Sequence, residues 1–380
     1  MKNQYVILTG SKNNAGDFLI KKRAMQLFDR VRPDREIIDF NGWESLDEAK
    51  LSIINASRAL ILMGGPSIVK SMVPIVYNLE NFLDRINVPV ILMGVGWKSK
   101  RGNWEDTYCY ELNEATVRLL NKTNSSGYYS SVRDYHTLNV LRDHGISNVL
   151  MTGCPAYYSL DKIGSDFSVV ETGRVAFSLG VSFMESSSMC DLMKENILEC
   201  KKMFKNEFEV VFHHSLKRQE YMNRSYKLSE HAYKHNKFAD WLDSNGIGYV
   251  DISGSAEKLM DYYKQIDIHI GYRVHAHIFM NSISKMSILI SEDGRAKGVK
   301  SAINGIVLDG FIHLRGSILH KALSKLLPSY DLYSSNASLS REITWEYEYE
   351  KLIDYARLKT SRKIIDSNYQ IMHKFLQQLP

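Results

Sequence analysis

Residues 266–297, IDIHIGYRVHAHIFMNSISKMSILISEDGRAK, constrain the fold most. Ile266, Ile268 and Ile270 alternate as in a short strand, and Gly271 breaks the run. Arg273, His275 and His277 follow at the start of a helical pattern that continues through Ile278, Phe279 and Ile283. A second apolar run, 286–290, reads as a buried strand, and Asp293-Gly294-Arg295-Ala296-Lys297 closes the stretch. Strand, cationic turn, helix, strand and cationic turn make a βαβ unit. Both cationic turns follow strand ends, where open α/β sheets take ligands. A helix N-terminus adds positive potential at the same place. Arg273, His275, Arg295 and Lys297 are therefore expected to converge on one anion, a phosphate or a carboxylate. His277, set beside an apolar run, reads as structural.

The same design recurs upstream. Residues 5–8 form an apolar strand followed by a loop with Asn14, Gly16 and Asp17 and then a helix over 17–30. Residues 58–63 end in Gly64-Gly65-Pro66, and 88–93 end in Gly94-Val95-Gly96-Trp97. Strands that end in glycine turns imply a crowded ligand edge where backbone approaches closely. Neither GxxxxGK[ST] nor GxGxxG is present. Asp17 is the natural N-cap of its helix, and it could equally accept a proton from a hydroxyl at the cleft mouth. The polar loop 98–107, edged by Trp97 and Trp104, could stack aromatic rings on a sugar face.

Residues 128–134 and 149–156 complete a first α/β half over residues 1–160, and 157–173 reads as a linker. A second half, 174–330, carries strands at 175–180, 208–212, 248–252, 266–270, 286–290 and 304–308. His213 and His214 lie at the end of one of them. A helical tail occupies 341–380, with a break expected near Ser361. At 380 residues, two domains are the prior expectation.

Composition is ordinary for a globular protein, with 44% hydrophobic and 24% charged residues. The net charge of +5 is spread along the chain, a mild bias toward anionic ligands and not a nucleic-acid signature. Cys109, Cys154, Cys190 and Cys200 form no CxxC pair, so no zinc site or disulfide framework is expected. The N-terminus has neither the length nor the cleavage site of a signal peptide, and no apolar run approaches the ~20 residues of a membrane span. A cytoplasmic chain is expected, with peripheral membrane association left open.

In this order, Asn14-Ala15-Gly16-Asp17, Gly64-Gly65-Pro66, Gly94-Val95-Gly96, Ser131-Val132-Arg133-Asp134 with Gly153-Cys154-Pro155-Ala156, and Gly271-Tyr272-Arg273-Val274-His275-Ala276 resemble the polysaccharide pyruvyltransferase family over residues 4–310. The resemblance implies two Rossmann-like domains with parallel sheets facing a cleft, as in the GT-B architecture. It further implies pyruvyl transfer from phosphoenolpyruvate to two hydroxyls of one sugar, forming a ketal on a cell-surface polymer. The acceptor would be a sugar, an oligosaccharide or a lipid-linked glycan, and no cofactor or metal is called for. The chain departs from the family at Ser284-Lys285-Met286-Ser287, where a Gly-Pro pair is usual, and in carrying both Arg295 and Lys297 after the following strand.

The residues suit that chemistry. A donor with a phosphate and a carboxylate needs cations in a fixed fork, which arginine supplies. Arg273, Arg295, Lys297 and His213 are the expected donor-binding set. His275 is the expected general acid, because imidazole titrates near neutrality, and Asp17 the expected base. Asn14, Gly16, Gly64, Gly65, Gly96 and Trp97 are expected at the acceptor. Two other readings stay open. One is a GT-B glycosyltransferase, with Arg273 and Lys297 on a diphosphate and Glu292 or Asp293 on a ribose. The other is a non-catalytic protein that retains the fold.

Overall fold

The computed structural model describes residues 3–10, 14–167, 173–217, 226–313 and 333–380. Residues 11–13 of the first loop, 168–172 of the expected linker, and 218–225 and 314–330 of the expected second half lie outside them.

The first lobe runs β1 (Gln4–Thr9), α1 (Ala15–Val31), β2 (Glu36–Asn41), α2 (Glu48–Ala56), β3 (Ala59–Met63), β4 (Val90–Met93), α3 (Glu114–Asn124), β5 (Ser130–Val132), α4 (Tyr135–Asp143) and β6 (Val149–Met151). Its four-stranded parallel sheet has the order β2-β1-β3-β4. The β5-β6 pair extends that layer through a Val95–Val132 bridge, and the Ser130 and Ser131 hydroxyls accept from the Leu92 and Gly94 amides. All six residues of β1 are buried, as befits a parallel strand covered on both faces. Gly64 and Gly65 after β3 both have positive φ, +65° and +71°. Two consecutive left-handed residues are cheap only for glycine, and they turn the chain sharply away from the sheet edge.

The second lobe runs β7 (Val175–Ser178), α5 (Ser187–Phe204), β8 (Phe208–Phe212), α6 (Tyr226–Ser244), β9 (Gly248–Asp251), α7 (Ala256–Lys264), β10 (Ile268–Gly271), α8 (Val274–Ser282), β11 (Met286–Ser291), α9 (Gly294–Ile303) and β12 (Ile306–Asp309). A small antiparallel pair, β13 (Phe311–His313) with β14 (Tyr333–Ser335), follows. The main sheet is parallel throughout, in the order β12-β11-β10-β7-β8-β9. Strand order reverses between β1 and β3 in the first lobe and between β7 and β10 in the second. Crevices form at such reversals. α1 leaves from one and α8 from the other.

The tail is α10 (Leu339–Leu352) and α11 (Ala356–Gln377). The break falls at Asp354 and Tyr355, both left-handed (φ +51° and +56°), and not near Ser361. Ser361 lies inside α11, and its hydroxyl donates to the Asn304 carbonyl at the end of α9. α11 buries Leu358, Ile365, Met372, Phe375 and Leu376, each worth about 1.5–3 kcal/mol once removed from water. It touches both lobes. Arg362 donates to the Ser282 carbonyl at the end of α8 (3.1 Å), while Arg32 of the first lobe donates to the Leu379 carbonyl (2.7 Å). The stretch read as a linker begins as packed structure: Tyr157, Tyr158 and Ser159 are buried, and Arg23 donates to Ser159 (2.9 Å).

Candidate active site between the lobes

Two helix starts, one from each lobe, meet in the cleft. Asn14 is the N-cap of α1, its side chain accepting from the Gly16 amide (3.0 Å). Asp17 is therefore not the cap but the third residue of the helix. Gly16 faces His275 so closely that a Cβ there would fall 2.0 Å from the imidazole Nδ1. No other residue fits this position without displacing the His275 side chain.

α8 is buried along its whole length. Arg273 is its N-cap residue, with the backbone amide donating to Ser178 Oγ (3.0 Å) and Nε to the Leu179 carbonyl (2.8 Å). Behind it a buried polar chain ties three strands to α8. Ser178 Oγ meets His269 Nε2, and Ser287 Oγ meets both His269 Nδ1 and His277 Nδ1, each at 2.7 Å. This chain occupies His277 and fixes where α8 begins. Ser287 belongs to the segment where the sequence departs from the family pattern.

Three guanidiniums bear on His275. Arg273 and Arg295 come from the second lobe and Arg133, following β5, from the first; all three act on the imidazole electrostatically. Burial lowers His275 to about 3, and Arg133, Arg295 and Arg273 push in the same direction. Its Nε2 is enclosed and has no hydrogen-bond partner among the described residues. Enclosure raises the Asp17 carboxyl to about 6, against the opposing pull of Arg295 and Arg133. Arg295 is held by Asp293, with Nε to Oδ1 at 2.9 Å and Nη2 to Oδ2 at 2.7 Å. Arg133 is 5% exposed, and its Nη1 has no partner among the described residues. Asp17 also lines a pocket of about 220 Å³ with Thr9, Gly64, Gly65 and Ser67, at the strand reversal of the first lobe. The arrangement can hold a multiply charged anion beside a carboxyl and an imidazole, with a recess next to them.

Several expected site residues stand elsewhere. Lys297 donates to Asn103 (3.0 Å) and lines a different pocket, so it does not join Arg273 and Arg295. His213 is 2% exposed and bonded to the Tyr263 hydroxyl (2.8 Å); burial, then Arg273, keep it neutral, and it brings no charge to an anion. Trp97 is 1% exposed, packed against Tyr110 and His136, and shows no face to the cleft. Gly96 makes room for Arg133, whose Nε would lie 2.1 Å from a Cβ there. Arg133 itself was visible in the sequence only as charge at a strand end. The rule that singled out Arg273 and Arg295 applies equally to it.

Two parallel α/β lobes with their strand ends toward one cleft, and a C-terminal helix tied to both, define a GT-B-like architecture. The solved structures that share it include two bound to sugar nucleotides. One is a UDP-GlcNAc 2-epimerase from Neisseria meningitidis bound to UDP-GlcNAc (TM-score 0.51, 12% identity, 99% of each chain covered). The other is trehalose-6-phosphate from E. coli bound with UDP-2-fluoro glucose (TM-score 0.53, 8% identity, 99% of each chain covered). At these identities the likeness is one of fold alone. The chain belongs to the polysaccharide pyruvyl transferase family, whose model matches residues 14–279. That span includes Asp17, Arg133, Arg273 and His275. No curated protein matches the chain. Family membership makes it a transferase with a sugar or polysaccharide acceptor. Among the described residues, no helix is long and apolar enough to cross a membrane, and no cluster of His, Cys, Asp or Glu could hold a metal ion.

Proposed function

We propose that this transferase takes its pyruvyl group from phosphoenolpyruvate and sets it as a ketal on two hydroxyls of one sugar in a cell-surface glycan. The observation that carries this reading is the meeting of the α1 and α8 starts, Gly16 against His275, with Arg133, Arg273 and Arg295 all acting on that imidazole. A compact donor with a phosphate and a carboxylate needs such a group of cations and little else. In the first half of the reaction the methylene carbon gains a proton and the first sugar oxygen bonds to the neighbouring carbon. In the second half the C–O bond to phosphate breaks and the second sugar oxygen takes its place. Of the two protons released by the sugar, one ends on the new methyl group and one on the departing phosphate.

Donor charge resolves how an imidazole with so low a proton affinity can act as an acid. Burial, with repulsion from three guanidiniums added to it, holds His275 neutral while the cleft has no anion. Phosphoenolpyruvate, placed among them, offsets that repulsion and raises the imidazole toward the range where it can deliver a proton. Asp17, at about 6, is suited to receive protons from the acceptor in the adjoining recess. The guanidiniums then stabilise the phosphate as it leaves. The glycosyltransferase reading loses support because the carboxylates it would use for a ribose are engaged. Glu292 Oε2 accepts from the Val181 and Ser182 amides (2.9 and 3.0 Å), and Asp293 caps α9 and holds Arg295.

Thermal unfolding with phosphoenolpyruvate, and separately with a panel of sugar nucleotides, tests the donor. Ligand at 100 times its dissociation constant adds about 2.7 kcal/mol to stability, a readable shift in Tm. Stabilisation by phosphoenolpyruvate that disappears in Arg273→Ala is the expected result. A response to a sugar nucleotide alone would overturn the proposal.

A further inference from the structure

A second pocket, of about 470 Å³, lies between the 102–105 segment of the first lobe and α9 of the second, and the activity above makes no use of it. α9 separates the two sites. Arg295 and Lys297 are two residues apart, about 200° around a helix, and so lie on different faces. Lys297, Lys300 and Ser301, at i, i+3 and i+4, share the face that lines the second pocket. On the opposite wall, Arg133 serves the reaction cleft while His136, in the first turn of α4, lines the second pocket.

The lining has the parts that a pyranose ring needs. Trp104 is 50% exposed and stacks on His136, with ring centres 4.1 Å apart and planes 19° apart. The far face of His136 rests on buried Trp97 (5.9 Å, 7°), so the exposed indole stands on a rigid base. Lys297, Lys300 and Ser301 supply donors, and Glu105 and Asp309 supply carboxylate acceptors. Those two lysines and two carboxylates balance, which fits a ring rich in hydroxyls better than a bare anion. His136 is 4% exposed, and its Nδ1 is enclosed with no hydrogen-bond partner among the described residues. Burial, reinforced by Lys297 and opposed by Asp134, lowers the affinity of this imidazole for a proton.

We propose that this pocket is a subsite for a sugar residue of the acceptor glycan, with a pyranose face packed on Trp104 and its hydroxyls bonded to Lys297, Lys300 and Asp309. The inference rests on the sugar-acceptor class that family membership carries, and it makes no use of the donor. Because the pocket is separate from the Asp17 recess, it implies an acceptor longer than one sugar.

Saturation-transfer NMR on the full chain tests this, using a panel of tetrasaccharides built from neutral, N-acetylated and uronic-acid sugars, beside the matching monosaccharides. At least one tetrasaccharide is expected to bind, more tightly than its monosaccharide. Trp104→Ala should weaken it by about tenfold, and Trp104→Phe should restore most of the loss. Lys300→Ala should weaken it by a similar factor. Preference for the uronic-acid member would assign the lysines to a carboxylate, and preference for a neutral member would assign them to hydroxyls; either supports the subsite. No binding across the panel, or binding indifferent to Trp104→Ala and Lys300→Ala, overturns it. Both variants should keep the wild-type thermal response to phosphoenolpyruvate. A wild-type chain that binds the tetrasaccharide but ignores phosphoenolpyruvate would therefore sink the donor reading and leave the subsite standing.

Discussion

Asp17 and His275 belong to helix starts that touch, yet enclosure moves their protons in opposite directions. The carboxyl is raised to about 6 and the imidazole lowered to about 3, because burial disfavours whichever form is charged. Asp17→Asn should reduce turnover by about a hundredfold or more, as loss of proton transfer does. It should not lower Tm above pH 6. A carboxyl whose folded pKa is raised contributes stability that is complete below its unfolded value of 3.8 and is lost as pH rises through 6, so the ionised group is a burden the amide lacks. Activity and melting of the variant at pH 7.5 check both. A second expectation concerns His275: its ring, followed by NMR, stays neutral well below pH 6.5 in the free chain and takes up its second proton at higher pH with phosphoenolpyruvate bound. Much of this site was legible at single residues, since a cation after a strand end is a local pattern. What was not legible was partnership across the lobes. Nothing local distinguishes Trp97, which is walled in, from Trp104, which is exposed, and nothing near Gly96 announces that Arg133 lies over it.

Among the elements, α9 was the least visible. Its sequence, GRAKGVKSAI, has two glycines and three cations in ten residues, and that blurs any apolar stripe. Its ends are clearer: Asp293 caps the start through the Arg295 amide, and Asn304 closes it in the left-handed conformation. The strands of both sheets were readable because parallel strands buried on two faces appear as unbroken apolar runs. α11 closes the C-terminal ends of α8 and α9, whose starts carry Arg273 and Arg295. Arg362 serves the Ser282 carbonyl and Asn368 the Ala302 carbonyl (3.1 Å each). Arg362→Ala strands the Asn281 and Ser282 carbonyls and leaves Asp366 without its cation. It should lower stability by about 3 kcal/mol. Urea unfolding checks the figure, and a loss within 0.5 kcal/mol, about what a neutral surface change gives, would count against the clamp.

At the scale of the molecule, acid is the expected weakness. His213, His214, His231, His235, His269, His275 and His277 all bind protons less readily in the folded chain than the ordinary 6.5, chiefly through burial. The unfolded chain takes up protons as pH falls through 6.5, whereas the folded chain resists until about 4 at His231 and about 3 at His235, His275 and His277. Stability present above pH 6.5 should therefore drain away below it, at about 1.4 kcal/mol per pH unit for each such histidine. Melting curves from pH 8 to pH 4 should show a steep fall beginning near pH 6.5, and a flat profile would contradict this burial. The reach of α11 back to the first lobe has a different consequence, for the order of assembly. Arg32 grips the Leu379 carbonyl and Tyr5 donates to the Pro380 carbonyl (2.7 Å each), pairing residues more than 340 positions apart. On a ribosome, the first lobe must wait for the segment that follows α11 before its own surface is closed. During that interval it is the part of the nascent chain most in need of a chaperone.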